Sequence, residues 1–236
     1  MTFPTNIWRV AALGAFSLAA AACDQSTAPH GLSPVRFQIA TTAASAGAAP
    51  GLLAATGPIE VSTVQLVVGR AALGDGTEFG CHDCQGNFAD DQSAPTLVTL
   101  PLGAATVAVV TEQVSPGRYG AAELSLMAPS AGTIAGMDGA PAGTTVRVAG
   151  RFNGVPFRLD IAIDGAFRGA LIPPMDVATG TMSSTASVTI RLPVDRWFVS
   201  NGVALDPAKA ADRALIESNI RASFSATEAE ASSPER

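Results

Sequence analysis

Basic and nucleophile-activating side chains are scarce in this sequence. Lys209 is its one lysine, thirteen arginines supply the rest of the basic charge, and His30 and His82 are the two histidines. Charged residues make up 14% of the chain, and acid outweighs base to leave a formal charge of −6. That balance excludes nucleic acid, and anionic lipid bound by charge, as expected partners. Hydrolytic chemistry lacks its usual parts: there is no Gly-x-Ser-x-Gly elbow, and neither histidine stands in a triad context. A phosphate-cradling glycine loop is also missing. Asp160 and Asp164 share one expected strand and have the residue type of a glycosidase pair. They fall on the face opposite Phe157, Leu159, Ile161 and Ile163, however, and so read as solvent-facing side chains. Neither catalysis nor a cofactor is expected.

What the chain does have begins at its amino terminus. Arg9 is followed by the apolar run Val10–Ala22, which ends in Leu18-Ala19-Ala20-Ala21-Ala22-Cys23. A short charged segment, a short apolar stretch and small residues before a cut site make a secretory signal. The run falls short of the roughly 20 apolar residues of a permanent span. The segment resembles a bacterial lipobox, whose cysteine becomes the first mature residue and carries diacylglycerol and an amide-linked acyl chain. Ala20 departs from that pattern, which usually has Leu there. Ordinary cleavage after Ala22 is the competing reading, but it would leave a bare thiol in an oxidising compartment. Two or more acyl chains hold a protein durably. The expected location is therefore the bacterial cell envelope, lipid-anchored through Cys23 and facing the periplasm or the exterior. The expected partners are the membrane itself and an envelope protein or glycan.

Hydrophobic residues reach 47%, enough for a core rather than disorder. The expected organisation is a signal peptide over 1–22, a tether over 23–34, a β-sandwich over 35–200, and a helix with a frayed tail over 201–236. From Ile59 onward, apolar runs of six to ten residues alternate with Gly, Pro, Asn or Asp, as in all-β sandwiches and barrels. Leu124 and Leu126 alternate with Glu123 and Ser125, and Val188, Ile190 and Leu192 alternate with Thr189 and Arg191. Such one-face patterns belong to antiparallel sheets. Asn153-Gly154 is the strongest hairpin signal, because a type I′ turn needs positive φ at both positions. It sets Phe152 opposite Val155, Val148 opposite Leu159 and Arg147 opposite Asp160. Near the end, Asp206 caps and Pro207 starts an expected helix. Ile216, Ile220 and Phe224 form its apolar stripe, with Glu217 paired to Arg221. The fold class expected is all-β: an antiparallel sandwich with one carboxy-terminal helix packed on it.

Pro116-Gly117-Arg118-Tyr119, followed by an alternating strand, is similar to a turn of transthyretin-like and carboxypeptidase-regulatory-like β-sandwiches. Trp197-Phe198, Asp206-Pro207, Asn219-Ile220 and Ser223-Phe224 resemble segments of envelope lipoproteins of environmental bacteria that carry such a sandwich without an established function. The resemblance implies a fold and a location, and brings no catalytic residues.

Cys81-His82-Asp83-Cys84 is the most suggestive internal segment. With Cys23 lipidated, Cys81 and Cys84 remain as an even pair, which in an exported protein reads first as a disulfide. Metal is the rival reading, since two thiolates at this spacing suit zinc or cuprous copper. A redox-active pair would need a helix amino terminus to favour the thiolate, and no helical pattern follows Cys84. Asp83, Asn87, Asp90 and Asp91 offer oxygens to calcium, but their spacing departs from the EF-hand. Tyr119 and Trp197 are candidate ligand anchors, with burial against the sandwich the expected fate of both.

Overall fold

The computed structural model describes residues 31–41, 53–54, 58–74, 95–103, 105–129, 134–178, 186–225 and 229–232. Cys23, Cys81 and Cys84 lie outside them, as do Asp83, Asn87, Asp90, Asp91 and most of the signal and tether segments. The strands are β1 (Ser33–Thr41), β2 (Leu53–Ala54), β3 (Ile59–Gly74), β4 (Thr96–Thr99), β5 (Thr106–Val114), β6 (Gly117–Leu126), β7 (Val146–Phe152), β8 (Val155–Ile161), β9 (Gly165–Val177), β10 (Ala186–Leu192), β11 (Val199–Ser200), β12 (Val203–Ala204) and β13 (Ala229–Ser232). The helix α1 spans Ala210–Ser225. The described residues are thus all-β with one α-helix near the carboxy terminus, in a sandwich-like layout.

Hydrogen bonding runs in the order β5-β1-β10-β13-β9-β6-β3-β7-β8. Most pairs are antiparallel, but β1 lies parallel to β10, and β13 meets β9 in a single parallel bridge. The centre is β3, whose sixteen residues outlast any one partner. One edge pairs with β7, and the other takes β2, β4 and β6 in turn. A bulge between Val61 and Thr63 brings the β3 backbone close to β7. There a Cβ on Gly150 would run into the Glu60 carbonyl, so only glycine fits.

The β7–β8 hairpin has the register that Asn153-Gly154 dictates, with φ of 50° and 77° at the two turn residues. Val146, Val148, Leu159 and Ile161 all point into the core. From across the layers come Phe37, Ile39, Val188 and Ile190, in one continuous apolar cluster. Burying a side chain of this size is worth roughly 1.5–3 kcal/mol, so the alternating patterns carry most of the stabilisation.

Three expectations change at the carboxy terminus. The helix begins at Ala210, not at Pro207. Asp206 instead closes a turn, its Oδ1 accepting from Ala208 N–H at 3.0 Å and its carbonyl accepting from Lys209 N–H at 3.0 Å. Glu217 pairs with Arg213, 3.5 Å away, while Arg221 reaches the Ala162 carbonyl. The tail after Ala226 is not wholly frayed either: Ala229–Ser232 add to β10, held by an Arg191–Glu230 ion pair of 2.7 Å. The apolar stripe is as expected, with Ile216, Ile220 and Phe224 buried. Phe224 packs on Phe167 with ring centroids 4.8 Å apart. At the other end, β1 starts at Ser33, two residues before the expected boundary.

Candidate functional site

Polar side chains that sequence patterning sends to solvent are drawn into structural pairs. Asp160 stands opposite Arg147 on β7, and the Arg147 Nε lies 2.6 Å from Asp160 Oδ1. Arg158 reaches the second oxygen at 3.0 Å. The Arg147 and Asp160 side chains are each only 9% exposed, which corrects the solvent-facing reading of Asp160. The cover comes from the turns between Ile134 and Thr144. Met137 is buried there, and the carbonyls of Met137, Asp138 and Gly139 accept from Arg147 and Arg158. Asp164 accepts the Ala128 N–H at 3.1 Å. Each member of the would-be glycosidase pair is therefore already engaged in holding backbone or a neighbouring strand.

Glu123 follows the same logic. It sits on the outer face of β6 opposite Arg168 on β9, 3.0 Å away, and is nearly buried. Among the described residues, no group of three or more Cys, His, Asp or Glu side chains gathers to hold a metal ion.

The two aromatic singletons are built into the fold. Trp197 is fully buried, and its Nε1–H donates to Ser223 Oγ at 2.8 Å. Tyr119 donates its phenol to the Ser115 carbonyl at 2.7 Å, tying the Pro116-Gly117 turn to the strand it starts. Burial pushes the Tyr119 phenol above its ordinary pKa of 10.0.

A concave surface lies at the end of the sandwich where the β7–β8 turn faces the approach to α1. Phe152, Asn153, Val155, Pro156 and Phe157 form one wall, and Asp206, Pro207 and Ala208 the other. The local sequence explains the shape. Pro156 sits on a strand edge, where a missing N–H costs no ladder bond. Pro207 lies in the turn that Asp206 closes, before the helix starts. Phe157 is braced from beneath by Phe198, with centroids 5.5 Å apart. Sequence reading missed this cleft because its two walls lie some fifty residues apart and their turn and helix-start signals, Asn153-Gly154 and Asp206-Pro207, speak of backbone shape and not of a ligand. No family model, no curated protein and no solved structure matches this chain.

Proposed function

We propose that this protein is a lipid-anchored β-sandwich module of the bacterial cell envelope, with a binding or structural role and no catalysis. The observation that carries this reading is Leu18-Ala19-Ala20-Ala21-Ala22-Cys23 at the end of a short apolar run, with the polar residues Asp24 and Gln25 directly after it. Small residues suit the narrow subsites of a signal peptidase, and a cysteine there is the acceptor for lipid. Support for a non-catalytic role comes from the carboxylates at Glu123, Asp160 and Asp164, each engaged in a structural contact. The turn at Pro116–Tyr119 supports kinship with transthyretin-like sandwiches. Expression with the native leader, followed by membrane fractionation, tests the reading. The protein should sediment with membranes, and Cys23→Ser should release it. A second reading, a zinc- or copper-handling lipoprotein, is favoured by the Cys81-His82-Asp83-Cys84 segment alone.

A further inference from the structure

We propose that the cleft between the β7–β8 turn and the approach to α1 binds a primary ammonium carried on a compact apolar body. The cleft encloses about 290 Å3, near the lower end of small-ligand pockets, which begin at about 300 Å3. That volume suits one ring with a short arm. Phe152, Phe157 and Pro207 supply apolar walls, and Asp206 is the one charged side chain in the lining.

Two residues with polar side chains line this space, Asp206 and Asn153, and of these only the carboxylate brings a charge. Asp206 Oδ1 takes the Ala208 N–H, whereas Oδ2 meets Lys209 Nζ at 4.0 Å, and that lysine side chain is 70% exposed. A contact so long and so wet leaves most of the carboxylate's charge uncompensated. A second acceptor follows from the register. Phe152 and Val155 flank a two-residue turn, so odd-numbered residues of β8 exchange backbone hydrogen bonds with β7 and even-numbered ones turn away. Arg213 donating to the Asp160 carbonyl fits that alternation. Pro156 therefore turns a carbonyl, with no N–H, away from the ladder beside the cleft. A ligand here needs donors and positive charge. An ammonium supplies three N–H groups and one charge, and Phe152 and Phe157 in the lining suit the apolar body that carries it.

The site depends on the fold alone, so it and the anchoring through Cys23 can fail independently. Saturation-transfer NMR on the purified full chain, with phenethylammonium chloride and its neutral counterpart 2-phenylethanol, tests the proposal. Phenethylammonium should bind with a Kd on the order of 1 mM, and the alcohol about fivefold more weakly, as one wet ion pair implies. Val155 is 66% exposed, so Val155→Arg should leave the fold intact while filling and repelling at the mouth, and binding should vanish. Asp206→Asn keeps the Oδ1 acceptor for Ala208 and should reduce the ammonium to the level of the alcohol. Equal binding of the two probes, binding that persists in Val155→Arg, or no transfer at about 10 mM would each overturn the proposal.

Discussion

Arg147 and Asp160 face each other across the β7–β8 ladder with 2.6 Å between Nε and Oδ1, and both side chains are nearly closed off from water. An exposed pair in this geometry is worth under about 1 kcal/mol. Here the Met137 and Asp138 carbonyls cover the guanidinium, so removing the carboxylate strands a charge. Asp160→Ala should cost roughly 2–4 kcal/mol, read as a lower urea midpoint with an unchanged slope. Arg158→Ala, at a side chain 52% exposed, should cost under about 1 kcal/mol. Equal losses in the two variants would refute the asymmetry.

Tyr119 is the only tyrosine in the chain, so phenolate absorbance reports it alone. Burial disfavours its charged form, and its folded-state pKa lies above 10.0. A group with a raised folded pKa contributes stability that is fully present below the unfolded value and lost as pH rises through the folded one. The absorbance titration should therefore have its midpoint above 10.0 in native protein and near it in urea. Stability should fall on the alkaline side. Tyr119→Phe should remove that part of the fall, at a cost of about 0.5–1.5 kcal/mol for the bond to Ser115.

Two arginines of helix α1 reach the outer edge of β8 and the residue that follows it. Arg213 and Arg221 donate to the Asp160 and Ala162 carbonyls, both at 3.1 Å, and Pro156 offers no N–H there. Positive charge bonded to an edge suppresses pairing between molecules. Replacing both arginines with serine should cost little stability, about 0.5–1.5 kcal/mol per bond. It should raise the apparent mass in light scattering above that of the parent protein. An unchanged mass across concentration would remove the edge-guarding role.

The cysteine pair separates the two functional readings. As a disulfide, Cys81 and Cys84 should resist thiol labelling in protein from oxidised cells. Zinc and cuprous copper should then bind no better than to a double-serine variant. As a metal site, the thiols would label, and binding would release protons because thiolates are the ligands. The disulfide outcome is expected. Tight, stoichiometric binding that needs both cysteines would make metal handling the primary function.

Local chemistry explains which parts of the fold could be read in advance. Asn153-Gly154 fixed a whole register because both residues tolerate positive φ, and the helix stripe was visible at Ile216, Ile220 and Phe224. Asn201-Gly202 carries the same turn signal, with φ of 50° and 76°. It joins the two-residue strands β11 and β12, too short to show alternation. Strand β9 continues through Pro173-Pro174 because the ladder is interrupted there: Leu171–Pro174 lie opposite Gly120 alone. Burial of Asp160 was hidden for a different reason. Its cover is a turn-rich segment more than fifteen residues away with no periodicity to reveal where it lies. The cleft likewise joins residues that only tertiary packing brings together.

A lipid on Cys23 is read directly from the intact mass of protein extracted from membranes after expression with its own leader. The expected product begins at Cys23 and carries the added mass of diacylglycerol and an amide-linked acyl group. A soluble chain with an unmodified Cys23 would contradict it.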